Sequence, residues 1–231
     1  MIKHLILDFD GIFNLDDYSA VSKALAESSG LPENEIEEKI GNYERRYVLT
    51  IDTGDNFLKE VAKGFNFKGS GDELVALLND RGDSGLFEEV HKFKDAGLAL
   101  SILSNQIAYR LPFVREQLKT RTSKIGGITG FERVYFSPEL GLQKPFVGVS
   151  EGDKKSAMDT SGVNIFPYAA SDMQKLGYNV KECLFIDDSK KNVASAEASG
   201  FEAEHVKFDI NQPQRTVYKQ IKKVLDSYNI S

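Results

Sequence analysis

Two pairs of carboxylates stand out in this chain of 231 residues, Asp8 with Asp10 and Asp187 with Asp188. Both pairs end apolar runs. Ile2-Lys3-His4-Leu5-Ile6-Leu7 leads into Asp8-Phe9-Asp10-Gly11, and Cys183-Leu184-Phe185-Ile186 leads into Asp187-Asp188. Acids capping a loop explain one such pair, but not two pairs at the ends of two apolar strands. In an extended chain Asp8 and Asp10 point the same way, and a turn at Gly11 can splay them around one point. If the two pairs meet, their charges repel strongly unless a cation neutralises them. An all-oxygen ligand set suits Mg²⁺, which keeps several waters and often bridges to substrate phosphate.

Bulk composition narrows the partners. With 41% hydrophobic and 28% charged residues the chain is balanced as an ordinary globular protein, not a disordered one. A net charge of −6 leaves no broad cationic field for nucleic acid or an anionic membrane surface. An anionic substrate must instead be met by a few placed lysines, arginines, backbone amides or a metal. The single cysteine, Cys183, sits in an apolar run and reads as core. The apolar stretches are too short to span a membrane, and acidic residues by position 8 argue against a signal peptide. A cytoplasmic enzyme is therefore expected. His4, His91 and His205 lack ligand spacing, which argues against zinc.

The elements that must position these acids follow from periodicity. Apolar runs at 2–7, 98–104 and 183–188 read as buried strands, with 134–137 a shorter one and 203–206 an edge. Helical patterns at 84–96 and near 167–177 lie between them. The alternation predicts an α/β fold: a Rossmann-like, mostly parallel sheet with helices on both faces. Ligands of such sheets gather at the carboxyl ends of the strands, which here carry Asp8, Asp10, Ser104, Asp187 and Asp188.

From about 15 to 84 the texture is helical throughout, with no convincing strand. Leu31-Pro32-Glu33 and Gly69-Ser70-Gly71-Asp72 read as capped helix–helix turns, and Thr53-Gly54-Asp55-Asn56 as a helix N-terminus. Too long for a loop, this block reads as an inserted small all-helical lobe. The expected division is a core of 1–14 and 85–231, a helical lobe of 15–84, and a polar insertion of 146–165 within the core, rich in Gly, Ser, Asp and Lys.

The four places where chemistry concentrates resemble the signatures of haloacid dehalogenase-like hydrolases. Asp8-Phe9-Asp10-Gly11 resembles the first, and Ile102-Leu103-Ser104-Asn105 the second. Gly141-Leu142-Gln143-Lys144-Pro145 resembles the third, and Phe185-Ile186-Asp187-Asp188-Ser189 the fourth. All occur in the right order. Ser104 alone reads as a strand-end turn residue and Lys144 alone as a surface charge; their register with the acid pairs reverses that. The resemblance implies that Asp8 attacks phosphorus, forming an aspartyl-phosphate, and that Asp10 protonates the leaving oxygen and later deprotonates water. It implies that Ser104 and Lys144 bind and neutralise the phosphoryl group. Mg²⁺ is then expected on the carboxylates of Asp8, Asp187 and Asp188 and on the Asp10 backbone carbonyl.

The second acid of the first signature favours phosphoryl transfer over dehalogenation, because a leaving halide needs no proton. By the same resemblance the helical lobe is a cap that excludes water and supplies specificity. Arg45 and Arg46 are its candidates for gripping an anionic substrate, against the alternative of an ordinary charged helix face. Asn105 is a further substrate-binding candidate. Altogether the expectation is a Mg²⁺-dependent phosphohydrolase acting on a small phosphorylated metabolite, a sugar phosphate or nucleotide. A β-phosphoglucomutase-like phosphomutase and a non-catalytic binding protein of the same fold are the alternatives.

Overall fold

The computed structural model describes residues 1–15, 17–48, 55–144, 164–207 and 216–230. The expected helix start at Thr53-Gly54 and nearly all of the expected 146–165 insertion lie outside these residues. Five strands form one sheet: β1 (His4–Leu7), β2 (Ala99–Ser104), β3 (Arg133–Phe136), β4 (Cys183–Asp187) and β5 (Glu202–His205). Their order is β3-β2-β1-β4-β5, and every neighbouring pair is parallel. The expected α/β architecture is present, with 203–206 at an edge.

Alternation along each strand builds a core on both faces. Leu5, Leu7, Leu100, Ile102, Leu184 and Ile186 pack on one side with Phe87, Val114 and Ile221. Those residues come from helices α5 (Leu86–Glu89), α7 (Leu111–Arg121) and α11 (Thr216–Ser227), and Phe93 of α6 (His91–Asp95) joins them. Ile6, Leu103, Cys183 and Phe185 face the other side, against Phe166, Met173 and Ala196. These belong to α9 (Ile165–Lys175) and α10 (Lys190–Ala198), while the short α8 (Ser137–Leu140) follows β3 directly. Central strands buried on both faces must read as continuous apolar runs, which is why β1, β2 and β4 are so plain in the sequence.

Between β1 and α5 the described residues form four helices, α1 (Ser19–Ser29), α2 (Glu33–Tyr47), α3 (Asp55–Gly64) and α4 (Gly71–Asn79). They share their own apolar cluster of Val21, Leu25, Ile36, Ile40, Phe57, Val61, Leu74 and Leu78. Ser70 and Glu73 form a reciprocal capping box at the start of α4. The two chain segments that join these helices to the sheet run side by side: Leu15 N–H donates to Gly82 O at 2.7 Å and Ser84 N–H to Phe13 O at 3.1 Å. Ile107 and Tyr109, just beyond β2, pack into the helical cluster, with Tyr109 stacked on Phe57. No helix among the described residues is long and apolar enough to cross a membrane.

Candidate active site

Because β1, β2 and β4 are parallel and in register, their carboxyl ends bring Asp8, Ser104 and Asp187 to one edge of the sheet. A cavity of about 750 Å³ opens there, between the strand ends and helix α2, with Tyr18 ahead of α1. That volume suits a small metabolite. Asp8, Asp10, Ser104, Asn105, Lys144 and Asp188 all line it from the sheet side, and Tyr18, Glu44 and Arg45 from the helical side.

Lys144 is the electrostatic centre. Its Nζ stands 2.5 Å from Asp8 Oδ2 and 2.8 Å from Asp187 Oδ2, with all three side chains at most 7% exposed. Burial pushes the ammonium down, and Asp187 and Asp8 more than reverse this, so it stays protonated. Burial pushes the Asp8 carboxyl well above the usual carboxylate range; Lys144 opposes that shift, while Asp187 and Asp188 add to it. Three acids thus face one ammonium. Carboxylate oxygens of Asp8, Asp187 and Asp188 lie within 4.8 Å of one another, so the donor set fits a small hard cation that would remove the excess of negative charge.

The two acids at the end of β4 differ in what surrounds them. Asp187 is fully buried, and its oxygens accept from Lys144, from the Ser189 amide at 2.8 Å and from Asn192 Nδ2 at 2.9 and 3.1 Å. Asp188 is half-buried and lines the cavity. It approaches the backbone at Gly11 so closely that a Cβ there would overlap its carboxylate, and Gly11 has φ +79°. Glycine meets both demands.

Asp10 faces a different partner set. Its carboxylate is gripped by the Arg110 guanidinium, Nη1 to Oδ2 at 2.6 Å and Nη2 to Oδ1 at 3.0 Å. Gln106 Nε2 donates to Oδ2 at 2.8 Å and to Ser104 Oγ at 3.1 Å. Burial pushes the Asp10 carboxyl up, but Arg110 and Arg81, with the bonds from Arg110 and Gln106, outweigh it and hold it at about 2.

Other expected site residues take different places. Asn105 lines the cavity, yet its amide is engaged with the backbone of Lys144: the Lys144 N–H donates to Oδ1 at 2.8 Å and Nδ2 donates to the Lys144 carbonyl at 3.2 Å. These two bonds help to hold the lysine in place. The Gln106 backbone N–H donates to Ser137 Oγ at 2.9 Å. Arg45 is exposed and lines the cavity. Arg46 does not join it. Successive helix residues diverge by about 100°, and Arg46 pairs with Glu60 at 2.9 Å while stacking over Tyr43.

Four residues drawn into the site lay outside the sequence expectation: Arg110, Arg81, Gln106 in its side-chain role, and Asn192. Asn192 lies in the first turn of α10, five residues beyond Asp187, and its side chain reaches back to the strand end. Arg81 and Arg110 carried no local signal, since each meets Asp10 only through the tertiary fold.

Solved structures share this architecture. A HAD-family enzyme of Bacteroides thetaiotaomicron, solved with magnesium and inorganic phosphate, superposes with a TM-score of 0.67 at 21% identity, covering 91% of this chain and 98% of that one. A predicted HAD-like hydrolase of Porphyromonas gingivalis gives 0.66 at 20%, over 97% and 98% of the two chains. A HAD phosphatase of Thermococcus onnurineus gives 0.55 at 17%, over 97% and 98%. No family model and no curated protein matches the sequence. The fold is the haloacid dehalogenase-like one, and the signature resemblance read from the sequence agrees with it.

Proposed function

We propose that the chain is a Mg²⁺-dependent phosphohydrolase that removes phosphate from a small phosphorylated metabolite, a sugar phosphate or nucleotide, through an aspartyl-phosphate on Asp8. The observation that carries this reading is the grouping of Asp8, Lys144, Asp187 and Asp188, of which Asp8, Lys144 and Asp188 line the cavity. Two HAD-like neighbours, one solved with magnesium and phosphate and one called a phosphatase, support the class of chemistry.

Asp8, Asp188 and the Asp10 backbone carbonyl are the groups proposed to hold Mg²⁺, with Asp187 beside them. Bound there, the ion supplies positive charge to the phosphoryl oxygens and to the nucleophile. Asp8 is the nucleophile: its carboxylate forms a bond to phosphorus as the ester P–O bond breaks. Lys144 stabilises the charge on Asp8 and on the transferring group, and Ser104 donates its hydroxyl to a phosphoryl oxygen. Asp10 in its protonated form gives a proton to the leaving oxygen, and the carboxylate so formed takes one back from the incoming water. The ionised form held by Arg110 is the one that accepts a proton. Helix α2, carrying Glu44 and Arg45, and Tyr18 ahead of α1 belong to a cap over the cavity, the lobe of residues 15–84 set on the core of 1–14 and 85–231.

The test is phosphate release from p-nitrophenyl phosphate and a panel of sugar phosphates and nucleotides, with Mg²⁺, with EDTA, and with Asp8→Asn. Metal-dependent release that Asp8→Asn abolishes is the expected result. Conversion of a sugar phosphate to its isomer with no phosphate released would replace this reading with a phosphomutase. A folded wild type that neither turns over substrate nor binds Mg²⁺ would leave a binding protein.

A further inference from the structure

We propose that Arg110 is a positioning residue for the reaction, acting through Asp10 by fixing which carboxylate oxygen faces the reacting atoms. The inference rests on the phosphohydrolase reading above.

Arg110 sits at the end of a single 3₁₀ turn, Ala108–Arg110, between β2 and α7, and is 2% exposed. A buried arginine is rare unless its charge is met. Here the fork matches the carboxylate bidentately, at 2.6 and 3.0 Å, the geometry that holds both distance and orientation. The guanidinium is itself fixed from behind, as Nε donates to Asn79 Oδ1 at 3.3 Å at the end of α4. Arg110, held by Asn79, therefore determines where the Asp10 carboxylate stands.

The two oxygens are not equivalent. Oδ2 accepts from both Arg110 and Gln106, and Arg81 Nη1 stands 3.8 Å from it. Oδ1 accepts from Arg110 alone among the described partners. A carboxylate oxygen has room for two donors, so Oδ1 keeps the capacity to exchange a proton with a leaving oxygen or a water. Gln106 bridges the occupied oxygen to Ser104, which ties the orientation of Asp10 to the proposed phosphate-binding hydroxyl. A carboxylate without the fork could rotate and present either oxygen or neither, and misplacement of about 1 Å costs roughly 100-fold in rate.

Arg110→Gln, Arg110→Lys, Asp10→Asn and the Asp10→Asn/Arg110→Gln double variant separate this role from substrate binding and from folding. Turnover of p-nitrophenyl phosphate and of phenyl phosphate is measured with Mg²⁺, after circular dichroism shows each protein folded. Losing the fork also lets Asp10 hold a proton more readily, but loss of orientation is the larger effect. Arg110→Gln is expected to lower kcat/KM on phenyl phosphate by about 100-fold. The loss on p-nitrophenyl phosphate, whose phenolate leaves without a proton, should be several-fold smaller. In the Asp10→Asn background the same substitution should change rates by less than about 3-fold, because coupled residues do not add. Arg110→Lys should recover little, since one ammonium cannot hold both oxygens. Equal losses on both esters, equal losses in both backgrounds, or a rise in KM with kcat intact would each overturn the role of Arg110 and leave the phosphohydrolase standing. A wild type inactive on both esters would overturn the phosphohydrolase reading instead. If Arg110→Gln does not fold, Arg110→Lys carries the same cycle.

Discussion

Lys144 Nζ donates to Asp187 Oδ2 at 2.8 Å across a site where neither side chain is more than 3% exposed. The same ammonium stands 2.5 Å from Asp8, so one positive charge serves two buried carboxylates. Lys144→Met removes it and leaves both acids uncompensated. The expected cost is about 3–5 kcal/mol of stability, the usual consequence of breaking a buried pair by one partner. A bound cation would replace part of the lost charge, so Mg²⁺ should raise the Tm of Lys144→Met by more than it raises that of wild type. Thermal melts with Mg²⁺ and with EDTA check this; equal shifts in the two proteins would count against a cation site beside Asp8.

Asp187 and Asp188 are adjacent in sequence and should separate on mutation. Asp187 has its oxygens committed to Lys144, Asn192 and the Ser189 amide, whereas Asp188 lines the cavity. Asp188→Asn is expected to weaken Mg²⁺ binding by about 10–100-fold with little change in stability. Asp187→Asn is expected to cost more stability than metal affinity, because it leaves Lys144 with one partner. Calorimetric titration with Mg²⁺ and urea unfolding of both variants measure the two effects. The reverse ranking would make Asp187 the principal ligand.

Gly11 carries a backbone demand and a spatial one. Its φ of +79° disfavours any side chain, and an added Cβ would overlap the Asp188 carboxylate. Gly11→Ala should destabilise the protein by about 1–3 kcal/mol. It should also lower Mg²⁺-dependent phosphate release, as Asp188 is displaced. A variant with full activity and unchanged stability would show that the Asp8–Gly11 turn has more room than the structure gives it.

His4 links stability to pH. It is fully buried in β1, with Nε2 2.7 Å from Ser101 Oγ, and burial, then Arg133, lowers its pKa from 6.5 to about 4. Below pH 6.5 the unfolded chain takes up a proton that the folded protein refuses. Its contribution is therefore whole above pH 6.5 and is lost as pH falls toward 4. The full swing is roughly 3 kcal/mol. Urea unfolding across this range should show a shallower decline for His4→Gln than for wild type. Parallel curves would mean that His4 does not resist protonation.

What the sequence determined by itself was whatever depends on local pattern. The apolar runs of β1, β2 and β4 are legible because strands buried on both faces need side chains of one kind throughout. Asp8, Ser104 and Asp187 follow directly, since each ends such a run and parallel strands deliver their carboxyl ends to one edge. The capping box at Ser70 and Glu73 is likewise a property of four consecutive residues. The tertiary structure decided which side chains complete the site. Arg110 and Asp10 are separated by 100 residues, and no spacing rule joins them. Asn105 beside Ser104 is legible as a cavity residue, but its bonds to the backbone of Lys144, 39 residues away, are not. Arg45 and Arg46 look equivalent until helix rotation sends one to the cavity and the other to Glu60. A charged side chain acquires its role from the partner that meets it after burial, and packing between distant segments chooses that partner.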